Sequence, residues 1–187
     1  MKFMNEYLYL YRKIMNTHLK DYEEIRWRRE LTKKYSWAVP NEEAIRIITK
    51  YSPIIEIGAG TGFWAMLLIK RGVDIISFDL YPFKKNLYHN ITQWFPIKKG
   101  TYMVLKNHPK RNLFLCWPPY NNNIALECLK WFKGKFLIYI GEDIRGCNAT
   151  DGFFKKLERD FILIQKIKIP QWWRVHDNLT IWEKNNR

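Results

Sequence analysis

Ile54-Ile55-Glu56-Ile57-Gly58-Ala59-Gly60-Thr61-Gly62-Phe63-Trp64-Ala65 is the stretch that decides the fold of this 187-residue chain. A β-branched run suited to a buried strand passes into glycines at alternate positions, then into residues that can open a helix. A glycine turn at the carboxyl end of a first parallel strand leaves bare backbone against which a ligand can lie. The register is Gly58-x-Gly60-x-Gly62, with Phe63 where a dinucleotide turn, G-x-G-x-x-G, would place its last glycine. Glu56, two places before the first glycine, extends the pattern to E-x-G-x-G-x-G.

Outward from this turn, apolar strand-like runs alternate with helical patterns. Upstream, Pro40 fixes its own φ and pushes Val39 out of helix, so 35–40 reads as an extended linker. Asn41 is a natural N-cap for a helix opened by Glu42 and Glu43. Residues 4–34 read as helix, with apolar positions from Tyr7 to Ile25 three or four apart and a basic opposite face that includes Arg26, Arg28 and Arg29. Asn16 and Thr17 compete for backbone hydrogen bonds and allow a break there.

Downstream, 64–70 reads as the first crossover helix and 74–78 as the second strand, which ends at Asp79. Asn86-Leu87-Tyr88 reads as a helix start and 102–105 as a short strand. The run 113–117 reads as the fourth strand, with a helix over 124–132 and a fifth strand over 135–140 after it. A helix capped by Thr150 or Asp151 precedes a sixth strand over 161–169 and a last strand over 179–183. Asp79 stands 21 residues beyond Gly58, near the spacing at which an acidic side chain meets ribose hydroxyls in such folds. Its two acceptor oxygens match two vicinal hydroxyl donors.

The pattern E-x-G-x-G-x-G resembles motif I of the class I S-adenosylmethionine-dependent methyltransferases. The resemblance, carried over residues 35–184, implies an α/β fold: a Rossmann-like, mostly parallel sheet of seven strands. Residues 1–34 then form an N-terminal helical extension and 35–187 the methyltransferase domain. It implies S-adenosylmethionine as cofactor, with Glu56, Gly58, Ala59, Gly60 and Gly62 at the turn, Asp79 and Leu80 after the second strand, and Cys116 at the end of the fourth. Tyr35 and Trp37 become candidates for a lid over the methionine end, with core packing as their alternative role.

Trp117-Pro118-Pro119-Tyr120 resembles motif IV of the amino-methyltransferases, D/N/S-P-P-Y/F/W. In that family the first residue and the first proline's carbonyl accept hydrogen bonds from the amine, and the aromatic stacks on the flipped-out base. Acceptors there hold the amine for in-line attack at near-attack distance, and base extrusion needs an aromatic platform. The chain departs at the first position: an indole donates but cannot accept from an amine. Pro118 and Tyr120 are therefore the candidate catalytic residues, with Trp117 as a second stacking face.

The formal charge of +14, from 32 basic and 18 acidic residues, favours a polyanionic partner, with phosphate contacts and counterion release. A lysine-rich composition that serves solubility is the plain alternative. Aromatics at 17%, nine of them tryptophan, suit stacking on single strands, so RNA is expected ahead of DNA. The N-terminal helix is also a surface for a protein partner or a homodimer. Three cysteines without C-x-x-C spacing and four scattered histidines point to neither a disulfide framework nor a metal. No run of apolar residues is long enough for a membrane span and no secretory leader is visible, so an intracellular protein, cytoplasmic or nuclear, is expected. The resemblance leaves three readings: a nucleic-acid methyltransferase, a catalytically silent subunit of that fold that binds RNA or a protein partner, and a protein or small-molecule methyltransferase.

Overall fold

Strands buried on both faces need apolar side chains at successive positions, and the chain's apolar runs become the sheet. The computed structural model describes residues 5–17, 20–82, 86 and 92–185. Its strands are β1 Ile54–Ile57, β2 Ile75–Asp79, β3 Lys98–Lys99, β4 Asn112–Cys116, β5 Phe136–Gly141, β6 Phe161–Lys168 and β7 Asn178–Lys184. They form one sheet in the order β3-β2-β1-β4-β5-β7-β6. β1 to β5 are parallel, and β7 enters antiparallel between β5 and β6. The chain order reverses between β1 and β4, the switch point where open α/β sheets bind ligands beyond the strands' carboxyl ends.

Among the described residues six α-helices flank the sheet: α1 Glu6–Met15, α2 Asp21–Lys34, α3 Glu42–Ile48, α4 Phe63–Ile69, α5 Ile124–Trp131 and α6 Asp151–Asp160. Because side chains alternate across a strand, the central strands feed two cores. Ile54, Phe114 and Ile138 pack with Trp64 and Leu68 of α4 and Ile48 of α3. Ile55, Leu113 and Leu137 pack with Cys128 of α5 and Phe153 and Leu157 of α6. Local capping sets the helix starts: Asn41 Oδ1 accepts from Ala44 N at 2.8 Å, and Thr150 caps α6 through Phe153 N.

The N-terminal helices break at Asn16-Thr17, where the Thr17 hydroxyl donates to the Ile14 carbonyl at 2.6 Å. They share the first core. The Tyr7 ring stacks on Tyr35 at 5.0 Å, and Trp172 Nε1 donates to the Tyr7 hydroxyl at 3.2 Å. Asn5 Nδ2 donates to the Pro40 carbonyl at 2.8 Å.

One strand assignment is corrected. Residues 102–105 are not a strand but part of a 3₁₀ segment, Tyr102–Asn107, because the Thr101 side chain accepts from Met103 N at 3.3 Å and starts a helical turn. The third strand is Lys98–Lys99, exposed at both residues and without an apolar pattern. The helix start expected at Asn86-Leu87-Tyr88 lies outside the described residues except for Asn86. Among the described residues no helix is long and apolar enough to cross a membrane.

Candidate functional site

Beyond β1 the backbone turns through Gly58, Gly60 and Gly62, all at left-handed φ of 77°, 56° and 74°. Gly58 N and Ala59 N both donate to the Phe78 carbonyl, at 2.9 and 3.1 Å, which clamps the turn onto β2. Asp79, at the end of β2, accepts from Gly60 N through Oδ2 and from Tyr81 N through Oδ1, both at 2.9 Å. Each carboxylate oxygen keeps acceptor capacity after those bonds.

This turn forms one wall of a cavity of about 550 Å³. Gly58, Gly60, Asp79, Leu80 and Tyr81 line that side. A side chain added at Gly58 would meet no protein atom within 4 Å and would project into open space, so the bare backbone leaves room for a ligand. The opposite wall carries Cys116, Trp117, Pro118, Pro119 and Tyr120, from the end of β4 onward. Trp37 and Arg28 complete it from the linker and from α2.

The Trp117-Pro118-Pro119-Tyr120 loop is held by the segment before α6. Pro119 bridges Asn148, the Pro118 carbonyl accepts from Ala149 N at 3.0 Å, and Asn121 N donates to the Ala149 carbonyl at 3.1 Å. Trp117 sits at φ 52°, a conformation costly for a bulky residue. Its indole Nε1 donates to Asp177 Oδ1 at 2.7 Å. One ring face stacks on Trp37, with centroids 5.3 Å apart and planes 18° apart. The Arg28 guanidinium lies 5.8 Å from the Trp37 ring and 5.6 Å from the Trp117 ring. Tyr120, by contrast, is 62% exposed at the cavity's edge, so its ring is accessible.

Buried acids frame the site. Glu56 lies beneath the glycine turn with Oε2 accepting from the Ser77 hydroxyl at 2.7 Å; burial pushes its pKa up to about 8. Asp177, fully buried in the β6–β7 connection, is pushed up to about 7 by burial, against the pull of the Trp117 N–H. Burial also drives the Cys116 thiol well upward, with the Glu56 and Asp177 carboxyls adding to it, so it stays protonated at neutral pH.

Of the residues assigned to the cofactor from sequence, Gly58, Gly60, Asp79, Leu80, Trp37 and Cys116 line the cavity, whereas Tyr35, Glu56, Ala59 and Gly62 do not. Tyr35 is a core residue, its ring between Tyr7 at 5.0 Å and Trp94 at 5.4 Å. Glu56 points under the turn toward Ser77. Ala59 spends its N–H on β2, and Gly62 is close-packed: a Cβ there would stand 2.8 Å from that of Phe95. Pro118 and Trp117 reach the cavity, but the carbonyl of one already accepts a bond and the indole of the other has one face covered. Sequence reasoning missed Asp177 and treated Arg28 as part of a charged face. An isolated acid and one arginine of the run Arg26-Trp27-Arg28-Arg29 carry no local signal.

The sequence matches no family model and no curated protein. Solved structures do match. The Thermoplasma acidophilum 1320 protein superposes with a TM-score of 0.53 at 13% identity, over 90% of this chain and 99% of that one. The N-methyltransferase NodS from Bradyrhizobium japonicum, solved with S-adenosyl-L-homocysteine, matches with a TM-score of 0.53 at 11% identity, over 78% of this chain and 87% of its own. The chain has the class I methyltransferase fold. Within that fold the glycine turn and the W-P-P-Y loop stand at the carboxyl ends of adjacent strands, β1 and β4, and face one cavity.

Proposed function

We propose that the protein is an S-adenosylmethionine-dependent methyltransferase acting on nucleic acid, RNA ahead of DNA, with a base amino group favoured over the ribose 2′-hydroxyl. The observation that carries this reading is the single cavity with bare glycine backbone and the Asp79 carboxylate on one side and an accessible tyrosine ring on the other. The donor set fits the cofactor: Asp79 offers acceptors for two ribose hydroxyls, Gly58 leaves space for close approach, and Leu80 gives an apolar contact. S-adenosylmethionine, when bound, supplies a methyl group on a sulfonium that needs no metal to activate it.

The chain's own residues position and desolvate. Tyr120 offers a ring on which an extruded base stacks. The Pro118 carbonyl, with one lone pair left beside its bond from Ala149, accepts from the attacking amine. The two prolines and the bridge to Asn148 hold that carbonyl still, which preserves alignment for in-line attack. The net charge of +14 supports a polyanionic substrate.

One observation favours a second reading, a silent subunit that binds RNA or a protein partner. Trp117 cannot accept from an amine, and its donor is spent on Asp177. Incubation with labelled S-adenosylmethionine and a pool of RNA and DNA, then nucleoside mass spectrometry, tests both. An N-methylated base supports the leading reading, and a 2′-O-methyl ribose keeps the enzyme class but removes the acceptor role of Pro118. Cofactor binding without transfer to any nucleic acid leaves the silent subunit, or a protein or small-molecule substrate.

A further inference from the structure

Arg28 is a half-buried residue of α2 that lines the cavity, whereas Arg26 and Arg29 on the same helix are exposed. Its Nε–H is buried and has no acceptor, and Arg28 forms no ion pair among the described residues. Contact with the Trp37 and Trp117 rings stabilises the cation through their π faces but leaves the buried Nε–H donor unanswered. The nearby Asp177 carboxylate feels the guanidinium's charge, yet its Oδ2 also lacks a partner. Buried donors in folded proteins are almost always bonded, so an arginine left short at the wall of a cavity calls for a ligand acceptor. A planar fork of donors suits the oxygens of a phosphate.

We propose that Arg28 anchors a phosphate flanking the target nucleotide while the base stacks on Tyr120, which makes α2 of the N-terminal extension part of the substrate site. This rests on the nucleic-acid reading above and narrows it: the substrate is recognised beside its base and not by surface charge alone. The alternative ligand, a carboxylate of a peptide, shares the anionic chemistry and becomes an outcome of the test.

Isothermal titration calorimetry reads binding at this wall. Wild-type protein, with and without saturating S-adenosylhomocysteine, is titrated with the four nucleosides, with their 3′,5′-bisphosphates and with acetylated glutamate. The bisphosphates should bind about tenfold tighter than the nucleosides or better, as a charge-assisted pair allows. Arg28→Ala should erase that preference while the affinity for S-adenosylhomocysteine stays the same. Arg28→Lys should keep part of it, and Arg26→Ala all of it. Equal binding of nucleoside and bisphosphate by the wild type, binding of neither, a preference for the carboxylate, or an unchanged preference in Arg28→Ala overturns the proposal. Failure of S-adenosylhomocysteine to bind the wild type sinks the methyltransferase reading instead, and the titrations without it still decide the role of Arg28.

Discussion

Glu56→Gln should stabilise the protein at alkaline pH and leave it unchanged near pH 4.5. Glu56 is 2% exposed, accepts from the Ser77 hydroxyl, and has its pKa raised from 4.5 to about 8 by burial, with the Asp79 charge adding a smaller push in the same direction. Between those values the native protein holds a proton that the unfolded chain has released. Unfolding therefore releases a proton, and stability falls as pH rises through the window. At about 1.4 kcal/mol per pH unit, the full span of 3.5 units (8 − 4.5) sets an upper limit of about 5 kcal/mol lost by pH 8. Glutamine mimics the protonated acid, so the variant escapes this loss. Other groups cancel in the difference between the two proteins: Asp177 titrates in both, and Asp160, held low by Arg159 and Lys156, is ionised throughout. Urea unfolding of both proteins at intervals from pH 4.5 to 8.5 measures the gap. It should open from near zero to a few kcal/mol in favour of the variant. Parallel curves for the two proteins, or a gap that closes with rising pH, would refute the assignment of an unpaired buried acid.

Gly58→Val should abolish S-adenosylhomocysteine binding in calorimetry, because the side chain enters the cavity at a φ of 77° that valine resists. Asp79→Ala should weaken the same binding by about 1–3 kcal/mol through lost ribose bonds; unchanged affinity would remove Asp79 from the site. Tyr120→Ala should cost about 1–3 kcal/mol in binding of single-stranded RNA and Tyr120→Phe little, whereas equal losses would assign the hydroxyl and not the ring. That RNA binding should also weaken log-linearly with salt, and a flat salt response would exclude phosphate contacts.

The sheet was legible because its strands are short apolar runs closed by turn chemistry. The runs 54–57 before the glycines, 113–117 at the prolines and 135–140 before Gly141 each announce a strand buried on both faces, found as Ile54–Ile57, Asn112–Cys116 and Phe136–Gly141. Capping at Asn41 and Thr150 was equally local. Lys98–Lys99 was not legible, since a two-residue exposed strand exists only because β2 has an edge to pair with. The run Tyr102-Met103-Val104-Leu105 misled for the opposite reason: its apolar residues suit a strand, but one side-chain bond from Thr101 commits it to a helical turn.

The site divides along the same line between local and distant causes. The glycine turn and the Asp79 carboxylate meet because consecutive parallel strands end side by side, a relation that spacing along the chain encodes. Tyr35 and Trp37 are two residues apart and looked alike, yet the first is locked between Tyr7 and Trp94 while the second reaches the cavity. Only the partners brought by α1 and by the segment after β2 decide between them. Trp117 illustrates the point most fully. As a letter in a motif it is a lost acceptor; in the fold its N–H meets a buried acid 60 residues later in the chain, its face meets Trp37, and Arg28 lies against both rings. Trp117 thus ties the cavity wall to the linker and to α2. The effect of substituting Trp117 must accordingly be measured together with Asp177 and Arg28, since the three share one set of contacts and their effects will not add.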